Sequence, residues 1–118
     1  MNIKTTVDDN VVIIKPIGEV DAYSSIDLDN AVAYVVKNYE QPLIVLDGSE
    51  LTYISSAGIG VFITYLEPIR RKKGEMIFAN LRREVLYVFT VLGLDKLVII
   101  TETVSQAKER LNHVKESI

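Results

Sequence analysis

Two adjacent hydroxyls, Ser55 and Ser56, and three polar groups elsewhere, Asp21, Asp47 and Asn80, are the residues of this chain whose types and positions could do chemistry. The serines follow an apolar run, Leu43 to Leu46, and precede a long amphipathic run, Ile59 to Ile69. They therefore stand where a loop turns into a helix. A serine at such a junction serves as an N-cap, accepting a backbone N–H and contributing about 1 kcal/mol. Ser56 is the expected cap. The same position suits a modification, because a helix N-terminus favours anions through its free N–H groups and its dipole. A phosphate on Ser56 would add roughly 1.5 to 2 negative charges at pH 7 beside Asp21 and Asp47. That change could switch off a docking surface without refolding the domain. Ala57, Gly58, Ile59 and Gly60 complete the segment. Glycine in a helix costs roughly 1 kcal/mol relative to alanine. Two of them in the first turn argue for bare backbone that something approaches closely.

Catalytic alternatives find little support. Asp21 and Asp47 could form an acid–base pair, but loop aspartates more commonly accept local backbone hydrogen bonds. A metal or kinase site built on them would need more ligands than the sequence offers. Gly58-Ile59-Gly60 lacks the third glycine of a dinucleotide fingerprint, and no glycine-rich loop ends in Lys-Ser or Lys-Thr. Ser105-Gln106-Ala107-Lys108 matches Ser-x-x-Lys without its companion motifs. His113 is the single histidine, which disfavours a nucleophile–base pair and a histidine-rich metal site. With no cysteine, disulfides and thiolate metal sites are excluded. The expectation is a protein that is not an enzyme and uses no cofactor or metal.

The formal charge of -3 argues against general binding to nucleic acid or anionic membranes. The start, Met1-Asn2-Ile3-Lys4, lacks the apolar core of a signal peptide, and no apolar run approaches the roughly 18 residues that span a bilayer. A cytoplasmic location is expected.

The elements that position these residues can be read from periodicity. Ile3–Val7 and Val11–Ile17 alternate as two strands around Asp8-Asp9-Asn10, a hairpin pattern, with Pro16 unable to donate on one side. Gly18-Glu19-Val20-Asp21 leads to Ser24 and Asp27, which resemble a capping box ahead of the stripe Leu28, Val32, Val35, Val36 and Tyr39. Leu43–Leu46 reads as a buried parallel strand ending at Asp47-Gly48. The helix after Ser56 carries Ile59, Phe62, Ile63, Leu66 and Ile69, should kink or end at Pro68, and should close at Gly74 behind the basic residues 70–73. Glu75–Ala79 reads as a strand, and Asn80 as the cap of a helix carrying Val85, Val88, Phe89 and Leu92 that Gly93 stops. Leu97–Ile100 reads as the last strand, and Thr103 with Gln106 as a capping box for a final helix carrying Val104, Ala107, Lys108 and Leu111. A hairpin followed by alternating helices and strands implies an α/β fold, one domain over residues 1–118, with a mostly parallel mixed sheet. In such sheets ligands and partners meet the loops beyond the carboxyl ends of the strands. Those loops carry Asp21, Asp47, Ser55, Ser56 and Asn80, so these residues should share one rim.

In this order and spacing the pieces resemble the STAS domain family, whose best-known soluble members are anti-sigma factor antagonists. Gly18-Glu19-Val20-Asp21 resembles the family's turn after its second strand, and Ile44-Val45-Leu46-Asp47 its central strand ending in aspartate. Tyr53-Ile54-Ser55-Ser56-Ala57-Gly58-Ile59-Gly60 resembles its Asp-Ser-(Ser/Thr/Ala)-Gly-(Leu/Ile)-Gly segment, while Asn80-Leu81 and the run 92–97 resemble later signatures. The resemblance implies that Ser56 is the serine phosphorylated by an anti-sigma factor that is itself a serine kinase of the histidine-kinase-like ATPase type. The unphosphorylated form would bind that kinase and free a sigma factor, and a PP2C-type phosphatase would restore the hydroxyl. ATP and magnesium would belong to the kinase. Asp21, Asp47, Ser55, Ser56, Ala57, Gly58, Ile59, Gly60 and Asn80 would form the partner-binding rim. One position departs from the pattern: Ser55 stands where regulated antagonists commonly carry aspartate, which makes Ser55 a competing acceptor. The other readings are a STAS module of another signalling or transport assembly, and a domain that senses a nucleotide or small anion.

Overall fold

A computed structural model describes residues 2–116, so residues 1, 117 and 118 of the expected domain lie outside the described residues. The chain opens with the hairpin: β1 (Asn2–Asp8) pairs antiparallel with β2 (Val11–Val20), closing with Asp8 opposite Val11. Asp9 and Asn10 both take positive φ, 52° and 68°, as a two-residue hairpin turn requires. The helix α1 (Ser25–Asn38) follows, then β3 (Leu43–Asp47), β4 (Leu51–Ile54) and α2 (Ser56–Arg71). The chain continues through β5 (Glu75–Ala79), α3 (Arg83–Val91), a 3-10 turn at Leu94–Lys96, β6 (Ile99–Thr101) and α4 (Val104–Glu116).

The strands form one mixed sheet in the order β1-β2-β3-β5-β6, in which every pairing except that of the hairpin is parallel. The long strand β2 has two parallel partners in succession. Residues 12–14 pair with β3, and Gly18, Glu19 and Val20 pair with β4. Pro16 falls in the gap between them, where no parallel partner needs the N–H that proline lacks, so the expected one-sided irregularity is present. β4 is an element that sequence periodicity reads as loop. Its four residues are too few and too mixed to show a period, and its ladder comes from β2.

The main core lies between the sheet and α1, α2 and α3, built on Leu28, Val32, Phe62, Leu66, Ile69, Phe78 and Phe89. Phe78 meets Phe62 and Phe89 edge-on at centroid distances of 4.9 and 5.2 Å. A second core under α4 joins Ala107 and Leu111 to Val11, Leu43, Val45 and Ile77. Burying whole aliphatic and aromatic side chains in this way contributes roughly 1.5–3 kcal/mol each before the entropy of ordering them is deducted.

Several helix-end expectations are corrected. Ser24 does not close a capping box, because its hydroxyl turns back to Asp21 instead. Ile63 faces solvent rather than the core, since the buried arc of α2 is already filled by Ile59, Phe62, Leu66 and Ile69. The α2 helix runs through Pro68 to Arg71, held by the fully buried Ile69 and by the Lys72 ammonium, which donates to the Val36 and Tyr39 carbonyls at the end of α1. At its close, Lys73 and not Gly74 takes the left-handed conformation, with φ 63°. Gly74 is demanded by proximity, because a Cβ there would lie 2.0 Å from the Pro42 carbonyl oxygen. Asn80 does not cap α3. It occupies a left-handed turn with φ 59°, and Arg82 stands at the cap position. Leu92 is exposed at the end of α3, and β6 begins two residues later than expected. The box at α4 is present as expected: the Gln106 N–H donates to the Thr103 hydroxyl at 3.1 Å, and the Thr103 N–H donates to the Gln106 side-chain Oε1 at 3.2 Å.

Candidate functional site

The β4–α2 junction is where the two serines part in role. Ser55 has an extended backbone, φ -83° and ψ 169°, and its Oγ accepts the Gly58 N–H at 3.3 Å. Its own N–H donates to the Val20 carbonyl at 2.8 Å, extending the β2–β4 ladder by one bond. Ser55 is therefore the N-cap, which corrects the expectation for Ser56 by one residue. The cause is β4: the strand persists to Ile54 and puts the break in backbone direction at Ser55. Ser56 becomes the first helical residue, exposed, with its hydroxyl making no hydrogen bond among the described residues. Among the described residues the Ser56 and Ala57 amides have no acceptor, since capping serves Gly58 and the Ser55 carbonyl serves Ile59. An exposed hydroxyl thus sits at the positive end of a sixteen-residue helix.

The glycines of this segment serve different purposes. A Cβ on Gly58 would lie 2.8 Å from side-chain atoms of both Val20 and Ile54, so this glycine lets α2 close onto the sheet. Gly58 and Ile59 are both buried, and the exposed surface here narrows to Ser56, Ala57 and part of Gly60. A Cβ on Gly60 would meet nothing within 4 Å. Clearance toward the outside belongs to Gly60 alone.

Asp21 follows β2 and is tied to Ser24 reciprocally. The Ser24 N–H and hydroxyl both donate to the Asp21 carboxylate, at 2.8 and 2.9 Å, while the Asp21 N–H donates to the Ser24 Oγ at 2.9 Å. The Ser24 backbone amide, followed by its hydroxyl, holds the Asp21 carboxyl below the usual carboxylate range. Asp47 ends β3 and accepts the Ser49 N–H at 3.0 Å. Both carboxylates thus serve local turns, the commoner of the two roles expected for them. Gly48 and Asn80 link the neighbouring loops: the Gly48 N–H donates to the Ala79 carbonyl at 2.9 Å and the Asn80 N–H to that of Thr101 at 3.3 Å.

The predicted rim exists, in two parts. The register of Val20 with Ile54 brings Asp21 beside Ser55 and Ser56, and the register of Asp47 with Ala79 brings Asp47 beside Asn80. Sequence reasoning missed the apolar surface around the first part. Tyr23 is 85% exposed between Asp21 and Ser24, Ile26 is 59% exposed on the first turn of α1, and Tyr53 is 50% exposed just before Ile54 and Ser55. Their signal was present as apolar residues lying off the buried stripes. Between β4 and α3 runs a cleft of about 200 Å³ lined by Tyr53, Ile54, Val85 and Val88. Among the described residues there is no cluster of three or more His, Asp or Glu arranged to hold a metal, and no helix long and apolar enough to cross a membrane.

The sequence pattern of the STAS domain matches residues 2–107. The chain belongs to the STAS domain family. This STAS domain is 30% identical over 84 residues to an anti-sigma-B factor antagonist of Listeria monocytogenes, an alignment covering 70% of this chain and 72% of that one. Its fold superimposes with a TM-score of 0.84, at 26% identity, on a candidate anti-sigma factor antagonist from Thermotoga maritima, covering 93% of this chain and 94% of the other. The anti-sigma factor antagonist SpoIIAA in its unphosphorylated form gives a TM-score of 0.73 at 16% identity, over 99% of this chain and 100% of that one, a likeness of fold.

Proposed function

We propose that this STAS domain is an anti-sigma factor antagonist, a cytoplasmic binding protein switched by phosphorylation of Ser56. In its unphosphorylated form it docks on an anti-sigma factor that is a serine kinase of the histidine-kinase-like ATPase type, and so frees a sigma factor. The observation that carries this reading is Ser56 itself: an exposed, unbonded hydroxyl at the first position of α2, beside Asp21, in a chain similar along most of its length to named anti-sigma factor antagonists. Ser55, half-buried and engaged in capping Gly58, is the poorer acceptor.

The physical logic of the switch is charge on a docking surface. A partner interface of standard size needs about 800 Å² from each side, with aromatic anchors near its centre. Tyr23, Ile26 and Tyr53 supply exposed apolar area around Ser56 and Ala57, and Asp21 contributes a fixed negative charge. A phosphate on Ser56 would accept the free Ser56 and Ala57 amides and place roughly two negative charges in the middle of that area. An interface selected for a neutral hydroxyl would then bury an unpaired dianion, which is strongly unfavourable. Because the phosphate sits outside the core, the fold would persist. A PP2C-type phosphatase would reset the switch by removing it.

The test is to incubate the protein with the histidine-kinase-like ATPase from the same source and ATP, map any phosphate by mass spectrometry, and measure binding before and after. Phosphate on Ser56 and loss of binding are expected. No modification of either serine together with no binding by the unmodified protein would refute the reading. The free amides at the start of α2 also suit a nucleotide or small anion, although residues 51–60 contain no lysine or arginine. Binding heat with millimolar nucleotide and none with the kinase would favour that sensor function instead.

A further inference from the structure

We propose that β1 pairs antiparallel with β1 of a second copy of this chain, joining the two sheets edge to edge in a two-fold dimer. β1 is the terminal strand of the sheet, bonded to β2 on one side and to no described strand on the other. The hairpin geometry decides which groups face outward. A two-residue turn makes its closing residues, Asp8 and Val11, a hydrogen-bonded pair, so the alternate residues Asp8, Thr6, Lys4 and Asn2 bond inward to β2. Ile3, Thr5 and Val7 then present their N–H and C=O groups to the open edge.

Most native edges are blunted by lysine or another charge, proline, a bulge or a covering element, and of these β1 carries exposed charges, Lys4 and Asp8, which a two-fold pairing sets diagonal to one another. This edge has seven residues, no proline, no bulge in its register with β2, and side chains that are exposed except for Ile3. It is also complementary to itself. A two-fold pairing centred on Thr5 uses all seven residues and sets Ile3 opposite Val7 of the second copy, twice. That contact covers Val7, which is 59% exposed in the single chain. On the other face Lys4 lies opposite Thr6 and diagonal to Asp8 of the second copy, within reach of an ion pair, while Asp8 keeps its own contact with Lys108. An unrelated strand would have to reproduce this apolar and charge pattern, whereas a second copy carries it by construction.

The pairing has a geometric consequence for the switch site. Because the two β1 strands run in opposite directions, the two rims carrying Ser56 lie at opposite ends of the joined sheet. Each stays open to its own partner. Dimer formation and docking therefore do not compete.

A single strand pair buries less than the area of a standard interface, so the association is weak and concentration-dependent. Sedimentation velocity is expected to show the 13.2 kDa chain moving toward twice its mass between about 10 µM and about 1 mM. Amide hydrogen exchange gives the site: the Ile3, Thr5 and Val7 amides should slow at least several-fold as concentration rises, while Lys4 and Thr6, already bonded to β2, should not change. Thr5→Pro removes an outward N–H and leaves the β1–β2 ladder intact, so it should abolish the dimer. Should that variant fail to fold, Lys4→Glu sets a negative charge near Asp8 of the second copy and should weaken association several-fold. A chain that stays monomeric throughout, or a dimer in which these three amides exchange at an unchanged rate, overturns the proposal. So does a dimer indifferent to both substitutions.

Discussion

Adding one methyl group at Gly58 and the same group at Gly60 should move stability in opposite directions. Both glycines are helical, two residues apart, and neither has the positive φ that would penalise alanine for itself. Helix propensity favours alanine over glycine by about 0.8–1 kcal/mol at either position. At Gly60 that is the whole account, since the new Cβ meets nothing within 4 Å. At Gly58 it would lie 2.8 Å from Val20 Cγ1 and from Ile54 Cγ1, and 3.2 Å from Ile54 Cδ1. Val20 and Ile54 are β-branched residues in paired strands, so neither can rotate away freely. Overpacking of this kind costs about 1–3 kcal/mol, which outweighs the propensity gain for all but the mildest case. Two clashes at 2.8 Å on side chains that cannot rotate away put Gly58 in the upper part of that range, about 2–3 kcal/mol, so Gly58→Ala should lose about 1–2 kcal/mol net and Gly60→Ala should gain about 0.5–1 kcal/mol. With an unfolding entropy of about 2.1 cal/mol/K per residue, a chain of 118 residues shifts by about 4 °C per kcal/mol. Thermal and urea unfolding should place the two variants on opposite sides of the parent, roughly 6–12 °C apart. A Gly58→Ala protein as stable as the parent would refute the claim that this glycine exists to let α2 close on the sheet.

Gly74→Ala should be more damaging, about 3 kcal/mol or more, because the clash is with the Pro42 backbone at 2.0 Å and not with a movable side chain; soluble yield and urea midpoints check it. Ser55→Ala should cost about 0.5–1 kcal/mol by removing a long cap bond, whereas Ser56→Ala should leave the urea midpoint unchanged while removing the proposed phosphate acceptor. Asp21 titrates below its ordinary value when folded, so its contribution to stability is fully present above the unfolded value and is lost as pH falls through the folded one. Carboxyl NMR titration should locate that depressed transition, and Ser24→Ala, which removes the hydroxyl but keeps the backbone N–H, should raise it only part of the way.

Much of the fold was legible in the residues alone. The hairpin, β5, the capping box at Thr103 and Gln106, and the core stripes of α1 and α4 all follow from local periodicity and capping chemistry, which act within a few residues. So did the placing of Asp21 beside Ser55 and Ser56 and of Asp47 beside Asn80, because parallel strands align their carboxyl ends whatever fills the core; that these form two groups rather than one rim was not legible. What needed the tertiary structure were choices made between distant segments. β4 exists because β2 runs past the end of β3 and offers it a ladder, and that strand moved the cap from Ser56 to Ser55, releasing the Ser56 hydroxyl to solvent. Gly58 and Gly74 carry no local mark of their purpose, since Val20 and Pro42, which help forbid a side chain there, lie far away along the chain, and the nearby Ile54 is set against Gly58 by the β2–β4 ladder. Local chemistry named the segment where a switch could sit, and packing across the sheet decided which of its hydroxyls is exposed.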